Sequence, residues 1–467
     1  MRLWTFPGIN RRFWSVHHRN ETFQTIRDAS KCMPCPWYNF TSDLNWSNLL
    51  RHLGQRHSPD QSVFQSVESI LQNVQELGDK ALVSYTRQFD CPDFERSQIK
   101  VPLQILEQAV HSIPKADLAL IEEAATNIQA FHQQQKENSW VDHSTPGLIT
   151  GQLVRPMARA GLYIPGGTSG DTPLVSSLLM NAIPAQVAGV ERIAVVSPPR
   201  QDGSINPYTL AAAAALGLRE VYAVGSAWAV AALGYGTESI PRVDVITGPG
   251  NMYVTTAKGL LAGQVGIDLI AGPSEIAILA DSSAHPEWIA ADLLSQAEHD
   301  PLASALLISP DYDILYDTKQ ALQKQLRSLS RQETAASALK QWGAFIQVPD
   351  LETGMHLINS LAPEHLELCL DDPWSWLSSI HNAGAIFLGH YTPEPIGDYF
   401  AGPNHVLPTM GSARFASALS VQNFIKKSSL IAATKSYSQG NADKVASLAR
   451  LEGLEAHARS AEIRLNT

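Results

Sequence analysis

The sequence is poor in cysteine, in basic residues and in long apolar runs, and each shortage excludes a class of protein. Four cysteines among 467 residues do not make a disulfide framework, so a reducing compartment, the cytoplasm, is favoured. The formal net charge of −11 argues against a nucleic-acid-binding or membrane-binding surface, because both need clustered positive charge. No apolar run reaches the roughly 18 residues of a membrane span. The composition therefore predicts an acidic, soluble globular protein that binds neither nucleic acid nor membrane.

The first 32 residues differ in charge from the rest of the chain. They are rich in arginine and contain only Glu21 and Asp28 as acidic residues. Such a start is typical of an organelle transit peptide. A simpler hypothesis is that translation begins at Met33, and we favour it. Residues 1–32 are then an extension or a mis-assigned start, and we expect them to be disordered.

Cys32, Cys35, His52 and His57 have a spacing close to that of a zinc finger. A finger would make the chain a nucleic-acid-binding module, which is a different class of protein. However, the segment between the two pairs has few spaced apolar positions, and the charge balance is wrong for that function. Cys32 also disappears if the chain starts at Met33. We therefore interpret the spacing as coincidental, and removal of residues 1–32 would test this.

Apolar periodicity predicts a helical amino-terminal part followed by alternating strands and helices. Residues 58–89 and 103–135 have apolar side chains at helical spacing. One later helix is predicted over residues 185–190, opened by Pro184, and a last one over residues 442–459. Strands that alternate with helices indicate an α/β fold with parallel sheets covered on both faces. The runs typical of buried strands are residues 192–196, 221–224, 243–247, 276–280, 305–309, 344–348 and 385–388.

The standard glycine fingerprint for dinucleotides, G-x-G-x-x-G, is absent from the chain. Two other glycine turns, residues 164–167 and 248–251, follow apolar runs and would let a backbone approach a ligand closely. Lone turns of this kind are more often ordinary chain reversals. The pattern therefore leaves a nucleotide site open.

A predicted helix that begins at Pro286 and ends before Pro301 carries Gln296 and His299 near its end. The two side chains are three residues apart and should lie on one helix face. An amide oxygen and an imidazole placed there could hold one metal ion. Taken alone, such a pair is more often polar surface or a helix cap.

Three further pairs of reactive side chains each have an ordinary explanation as well as a chemical one. Most Glu-His dipeptides lie on the surface, an aspartate after a glycine often caps a turn, and a histidine on a last helix is normally solvated. The adjacent pair should point apart, so that it would flank one substrate or serve separate steps. The pairs are Glu364 with His365, Asp398 with His405, and Glu452 with His457.

A zinc site needs three or four N, O or S ligands. The chain offers one set of four, although the sequence alone does not bring its members together: Gln296, His299, Asp398 and His457.

Eight motifs occur in an order that resembles one enzyme family. They are GLYIPGG, LLMNAIPAQVAGV, ITGPGNMYVTTAK, IAGPSEIAILAD, AADLLSQAEHD, PEHLEL, GDYFAGPNHVLPT and EGLEAH. From about residue 58 to the carboxyl terminus, the chain resembles histidinol dehydrogenase. The resemblance implies zinc-dependent oxidation of L-histidinol to L-histidine with NAD, which forms the last two steps of histidine biosynthesis.

The resemblance also implies a role for each candidate side chain. Glu364 and His365 would be the proton-transfer pair, and Tyr163 and Asn251 would bind NAD. The zinc ligands would be Gln296, His299, Asp398 and His457. The substrate would contact these four ligands, His365 and three more residues, Ser274, His405 and Glu452.

Members of this family bind NAD on an incomplete Rossmann-like domain, and their C-terminal segment reaches across a homodimer. The resemblance thus implies two incomplete Rossmann-like parallel-sheet domains with helical terminal segments, and shared active sites. After the extension at residues 1–32, the expected division is a helical N-terminal segment at 33–145, an α/β NAD-binding domain at 146–272, a second α/β domain with the zinc and catalytic residues at 273–425, and a C-terminal helical tail at 426–467.

Two features depart from the family pattern. Trp228 stands where most members have a glutamine that contacts NAD, and its indole could stack on a cofactor ring instead. The loop at residues 166–177 is longer than the common form. Two alternatives stay open: a relative that oxidises another small alcohol, such as a sulfonated diol, with NAD and zinc, and a non-catalytic metal-binding protein that has lost NAD through Trp228.

Overall fold

The computed structural model describes residues 35–40, 43–57, 61–167 and 170–466. Cys32 and Met33, and with them the predictions for residues 1–32, lie outside this part. The strands form two parallel sheets and one antiparallel sheet. They are β1 (Trp37–Asn39), β2 (Trp140–Asp142), β3 (Leu148–Pro156), β4 (Arg159–Tyr163), β5 (Arg192–Ser197), β6 (Glu220–Ala223), β7 (Val245–Thr247), β8 (Gly266–Ile267), β9 (Glu275–Ala280), β10 (Ser304–Ser309), β11 (Ala344–Gln347), β12 (His365–Cys369), β13 (Ala385–Leu388) and β14 (Ile425–Ala433).

Helices precede the sheets, cover the faces of the parallel sheets and end the chain. They are α1 (Asp43–Gly54), α2 (Gln61–Leu77), α3 (Asp79–Phe89), α4 (Leu103–Gln108), α5 (Lys115–Gln133), α6 (Val175–Ala188), α7 (Pro207–Ala215), α8 (Ser226–Tyr235), α9 (Met252–Leu261), α10 (Pro286–Ala297), α11 (Tyr312–Leu326), α12 (Gln332–Trp342), α13 (Leu351–Leu361), α14 (Glu394–Tyr399), α15 (Lys435–Leu451) and α16 (Glu455–Glu462). None of the described helices is both long and apolar enough to cross a membrane.

The two parallel sheets share one strand order. The first sheet runs β6-β5-β4-β7-β8 and the second runs β1-β11-β10-β9-β12-β13. With β1 set aside, each is a Rossmann sheet without its sixth strand, because the standard order is 3-2-1-4-5-6. The order reverses between β4 and β7 and again between β9 and β12. The expected α/β fold with two incomplete Rossmann-like sheets is therefore confirmed.

Strand β9 shows why the central strands are apolar throughout. All its residues are buried, and they alternate between the two faces of the second sheet. Ile276 and Ile278 pack into the core cluster that includes α10 and α11, whereas Ala277 and Leu279 pack into the cluster that includes α13. Helices on both faces leave no polar side to the strand.

Helix α6 differs from the prediction. It begins at Val175, ten residues before the expected start, and Pro184 lies inside it. The helix is buried on almost every side, so it has no apolar stripe for periodicity to detect. The sequence rule that placed Pro184 in a first turn is therefore wrong here.

The antiparallel sheet, in the order β14-β3-β2, was not predicted. Strand β14 pairs with β3 along its whole length, from Ile425 opposite Pro156 to Ala433 opposite Leu148. Most of β14 is exposed, and the run Lys426 to Ser429 after the buried Ile425 is polar, so neither face carries an apolar pattern. Strand β14 begins the final segment of the chain. That segment is therefore helical only from α15 onwards.

The predicted last helix is two helices. Gly453 adopts φ +76° between α15 and α16, a conformation that favours glycine, and the chain turns back there. Arg450 of α15 forms salt bridges with Glu455 at 2.9 Å and with Glu462 at 2.6 Å, both on α16, and these connect the two helices. We call β14, α15 and α16 together the C-terminal arm.

Candidate active site

Glu364 and His365 lie at the amino end of β12, in the middle of the second sheet. Both are buried, at 6% and 3% exposed. His365 is the first residue of β12 and pairs with Ile276 of β9. Oε2 of Glu364 lies 3.7 Å from Nδ1 of His365. The expectation that these adjacent side chains point apart is therefore wrong, because Glu364 precedes the strand and turns back onto its neighbour.

The backbone of Glu275, the first residue of β9, holds both side chains. Its N–H donates to Oε2 of Glu364 at 2.8 Å, and its carbonyl oxygen lies 3.0 Å from Nδ1 of His365. A carbonyl only accepts, so Nδ1 of His365 carries a proton, and Nε2 is the nitrogen that faces the rest of the site. Glu275 in turn forms a buried ion pair with Arg56, which comes from the N-terminal helices.

Nε2 of His365 faces two carboxylates from α14. It lies 3.7 Å from Asp398 and 3.9 Å from Glu394, and it has no hydrogen-bond partner among the described residues. These three residues offer metal-ligand atoms that all lie within 4.8 Å of one another. Glu394 was missed in the sequence, although Glu394 and Asp398 are four residues apart and so share a face of α14.

Burial and charge shift the protonation of this group. Burial raises the pKa of Glu364 to about 8, although the charge of His365 opposes the rise. Burial alone would lower the pKa of His365, but the carboxylates of Glu364, Asp398 and Glu394 outweigh it and raise that pKa to about 10. Burial would raise the pKa of Asp398, yet the nearby imidazoles of His365 and His405 hold it at about 2. Asp398 is therefore ionised, and His365 is positively charged when the chain is considered without bound ligands.

His405 reaches the same group from the loop after α14. Its Nδ1 lies 3.0 Å from the carbonyl oxygen of Asp398, which leaves Nε2 available. Burial lowers the pKa of His405 although Asp398 opposes this, so the imidazole favours its neutral form. Ser274 lies in the loop directly before Glu275, and its carbonyl oxygen accepts from the N–H of Ser304 at 2.9 Å.

Gln296 lies in the last turn of α10, and the predicted start of that helix at Pro286 is confirmed, but the helix ends at Ala297, so His299 lies just beyond it and not on it. Gln296 is 1% exposed, and its Oε1 has no partner among the described residues. His299 follows the helix and is exposed, and its Nδ1 lies 2.8 Å from the carbonyl oxygen of Ser295. Nε2 of His299 is therefore the nitrogen left for a ligand.

Glu452 and His457 lie in the C-terminal arm and are both exposed. His457 is not part of any metal-binding group of histidine, cysteine or carboxylate side chains in the described ranges of this chain. The fold of one chain thus brings together Glu364, His365, Asp398 and His405 and leaves His457 on the arm.

The two residues expected to bind NAD flank the strand reversal of the first sheet. Tyr163 ends β4, and its hydroxyl oxygen accepts from the N–H of Ser226 at 3.1 Å. Burial raises the pKa of Tyr163 to about 12. Asn251 follows β7 and caps α9, accepting from the N–H of Tyr253 at 3.0 Å. Ligands of open α/β sheets bind at the carboxyl ends of strands at such a reversal.

Trp228 does not face this crevice as the sequence suggested. It is 4% exposed, and its ring stacks on Tyr85 at 5.5 Å and on Phe89 at 5.6 Å between ring centroids. The expectation that the indole stacks on a cofactor ring is wrong, because both neighbours on α3 already cover it.

The zinc-finger spacing has no structural counterpart in the described part of the chain. Cys35 is buried at 4% exposed and is a free cysteine. A ring nitrogen of His52 lies 2.8 Å from the carbonyl oxygen of Gln341, and the ring stacks on Trp342. Neither residue belongs to a metal-binding group there.

Comparisons with known proteins agree on one family. The family model described as histidinol dehydrogenase matches residues 54–465. The histidinol dehydrogenase of Oleidesulfovibrio alaskensis is 56% identical over 434 residues, which cover 93% of this chain and 100% of the relative. That of Nitratidesulfovibrio vulgaris is 55% identical and covers 92% of this chain and 99% of the relative. The crystal structure of histidinol dehydrogenase from Elizabethkingia anophelis has a TM-score of 0.87 and 36% identity, and the match covers 94% of this chain and 99% of that one. The chain therefore belongs to the histidinol dehydrogenase family.

Proposed function

We propose that the chain oxidises L-histidinol to L-histidine through L-histidinal, with NAD as hydride acceptor and zinc in the site, as the last two steps of histidine biosynthesis. The observation that carries the proposal is the buried group of Glu364, His365 and Asp398 at the amino end of β12, found in a chain of this family. An imidazole between carboxylates can take up a hydroxyl proton, and a second carboxyl can act on water.

The proposed zinc ligands fit the ion. Gln296 presents a buried oxygen that lacks a partner in the described part, Asp398 is ionised, and His299 keeps Nε2 available. Nitrogen and oxygen donors of these kinds suit zinc. We propose that Gln296, His299 and Asp398 of one chain bind the ion together with His457 of a second copy. Ser274, His405 and Glu452 would contact the substrate around it.

When bound, zinc would hold the imidazole and amine of the substrate and, by offsetting the charge of Asp398, lower the pKa of His365, while NAD would accept hydride. The residues of the chain supply the proton transfers. Nε2 of His365 takes the hydroxyl proton of the alcohol as hydride leaves the carbinol carbon. Glu364, in its ionised form, then takes a proton from the water that attacks the aldehyde. The hydrate formed in this way gives up the second hydride and becomes the acid.

NAD is proposed at the carboxyl ends of β4 and β7, in contact with Tyr163 and Asn251. Gly248 between them has φ +118°, and a Cβ there would lie 2.1 Å from the carbonyl oxygen of Tyr163. Only glycine lets the turn approach β4 so closely. This turn supports a nucleotide crevice at the strand reversal without the standard glycine fingerprint.

A homodimer with shared active sites is proposed from the C-terminal arm. Leu448 is 65% exposed and Leu451 is 84% exposed on α15, in the same arm as the exposed His457. Large apolar side chains gathered on one exposed element are typical of an interface. A second copy of the chain would cover them and receive His457 in its site.

The expected division of the chain into an NAD-binding unit at residues 146–272 and a zinc-binding catalytic unit at 273–425 is part of the same proposal. The mainly helical segment at 33–145 and the segment at 426–467, which is helical only after β14, would flank the two units. The cytoplasm is the compartment we propose, because the described cysteines, Cys35, Cys91 and Cys369, are free.

One assay tests the function. The purified chain is incubated with L-histidinol and NAD, and both NADH and histidine are measured, with and without a chelator. Two molecules of NADH per molecule of histidine, abolished by the chelator and restored by zinc, are expected. Faster NADH formation with another small alcohol, such as a sulfonated diol, would show that this alcohol, and not histidinol, is the substrate. Failure of millimolar NAD to bind or to raise the melting temperature would indicate a metal-binding protein without catalysis.

A further inference from the structure

Pro184 leaves one carbonyl group of α6 without its helical partner. Proline has no backbone N–H, so the carbonyl oxygen four residues earlier, that of Met180, cannot accept the usual helical hydrogen bond. Met180 is fully buried, so bulk water does not reach this carbonyl. A buried carbonyl of this kind needs a donor from elsewhere in the fold.

The side chain of Asn404 supplies that donor. Its Nδ2 donates to the carbonyl oxygen of Met180 at 2.6 Å and lies 3.3 Å from Nε2 of His132. Its Oδ1 accepts from the N–H of Val406 at 2.9 Å. Asn404 is 4% exposed, and both ends of its amide are used, so the orientation of the amide is fixed by its partners.

His132 completes the attachment on α5. Its Nδ1 lies 2.7 Å from Oε1 of Gln135, an oxygen that also accepts from the N–H of Val421 at 3.2 Å. The amide oxygen of Gln135 can only accept, so Nδ1 carries the proton of His132 and Nε2 accepts from Asn404. Asn404 is thus tied to α5 and α6 together, and both helices belong to the part of the chain around the first sheet.

The tied residue sits within the loop that carries His405. This loop, residues 400–408, begins where α14 ends, and Asn404 directly precedes His405. The N–H of Val406 is fixed by Asn404, and Nδ1 of His405 is fixed by the carbonyl oxygen of Asp398. The loop is therefore held on one side by the catalytic group and on the other by α6, the helix that follows β4.

We propose that Asn404 is a positioning residue: it latches the His405 loop to α6 through the carbonyl group that Pro184 leaves free, and thereby sets the place of His405 for the substrate. The proposal rests on the proposed function for its kinetic consequence. A displacement of about 1 Å at a substrate-positioning residue can cost about 100-fold in rate. Loss of the latch should therefore raise the KM for histidinol between about 10- and 100-fold, with a smaller effect on kcat.

A double substitution separates positioning from stability. Asn404→Leu removes the latch and leaves the Met180 carbonyl unpartnered, so both a lower melting temperature and a higher KM are expected. Adding Pro184→Ala restores a backbone N–H to that carbonyl. The melting temperature should recover in the double variant, whereas the high KM should remain, because the loop is still released. Recovery of both together, or an unchanged KM in Asn404→Leu, would overturn the proposal.

Hydrogen exchange gives a readout that does not depend on turnover. The amide of Val406 should exchange faster in Asn404→Leu and equally fast in the double variant, in the zinc-loaded protein. Slow exchange in both would overturn the latch. If the wild-type chain does not turn over histidinol, the proposed function fails, and exchange at Val406 still decides the role of Asn404. Should Asn404→Leu alone not fold, the double variant carries both measurements.

Asn359 provides a matched control. Its Nδ2 donates to the carbonyl oxygen of Ser379 at 2.7 Å, and its Oδ1 accepts from the N–H of His381 at 2.7 Å. It is therefore a similar clamp on a loop that carries no proposed site residue. Asn359→Leu should lower the melting temperature and leave the KM for histidinol within about twofold. An equal rise of KM in this variant would show that loss of any such clamp disturbs the site.

Discussion

The carbonyl oxygen of Glu275 lies 3.0 Å from Nδ1 of His365, and this contact determines which nitrogen of the imidazole can act. The same residue donates its N–H to Glu364. One backbone position at the start of β9 therefore orients both members of the proposed proton-transfer pair. The side chain of Glu275 is fixed in turn by Arg56, so the N-terminal helices support the chemistry without touching it.

Arg56→Met should destabilise the chain and weaken catalysis together. Both side chains of the Arg56–Glu275 pair are almost fully buried, and removal of one partner of such a pair costs about 3–5 kcal/mol. Urea unfolding measures the loss, and both half-reactions should slow because the pair Glu364 and His365 moves with β9. The double variant Arg56→Met with Glu275→Met should recover most of the stability. Equal stability of Arg56→Met and the wild type would contradict the ion pair.

Glu364→Gln should separate the two oxidations. The amide keeps the shape of the side chain but cannot take a proton from water, so the step from L-histidinal to L-histidine should fall by about 10²–10⁴-fold. The step from L-histidinol should fall much less, because His365 takes that proton. Each substrate is assayed separately for NADH formation. An equal loss in both half-reactions would assign Glu364 a different role.

The sequence predicted helix α10 well because local rules suffice there. Pro286 begins the helix, the apolar stripe is regular and Pro301 follows its end, so the place of Gln296 is settled by neighbours in the chain. The α/β fold followed from the alternation of strand and helix patterns, whereas the residues of the site came from the motifs. The pairing of Glu364 with His365 depends on the backbone of Glu275, about 90 residues away in the chain. No local pattern encodes such a contact.

The sequence missed α6, β14 and the packing of Trp228, because each depends on contacts with residues that are distant in the chain. Helix α6 is buried on nearly every side, so its periodicity is weak, and the donor that Pro184 removes is replaced by Asn404. Strand β14 is mostly exposed and has no regular alternation of apolar residues, and it is held by its pairing with β3. The sequence suggested that Trp228 stacks on a cofactor ring. Its actual partners on α3 become apparent only once the fold is known.

Trp228 should contribute to stability and not to the affinity for NAD. Its indole is stacked between Tyr85 and Phe89, and Nε1 has no hydrogen-bond partner among the described residues. Trp228→Phe keeps the stack and should cost under about 1.5 kcal/mol, whereas Trp228→Ala should cost about 3–5 kcal/mol. Urea unfolding and a titration with NAD measure the two properties. Weaker NAD binding by a fully stable Trp228→Phe would place the indole at the cofactor.

Asp90 should make the stability depend on pH. Burial raises the pKa of this carboxyl to about 6. A raised pKa means that the folded chain favours the protonated form, so the contribution to stability is present below pH 4 and is lost as the pH rises through 6. Asp90→Asn should therefore become more stable than the wild type between pH 4 and pH 6, by on the order of 2 kcal/mol.

A second carboxyl provides a control of opposite sign for this pH series. Hydrogen bonds from Ser144 lower the pKa of Asp142. Its contribution is present at neutral pH and is lost as the pH falls, so Asp142→Asn should be the less stable form at neutral pH, and the difference should shrink in acid. Urea unfolding across the series measures both variants. A gap between Asp90→Asn and the wild type that does not change with pH would show that Asp90 is not desolvated.

Truncation of the chain before Glu452 should leave the fold intact and abolish zinc binding and activity. The part removed holds α16 and His457, and in the described part of the chain α16 packs mainly on α15, so the melting temperature of the body should change little. Zinc should be lost because three ligands from one chain remain without the fourth from the second copy. His457→Ala in the full chain is the matched control, with the arm intact and the ligand removed. Equilibrium dialysis with zinc and the histidinol assay compare both proteins, and turnover of histidinol by the truncated chain would refute a site shared between two copies.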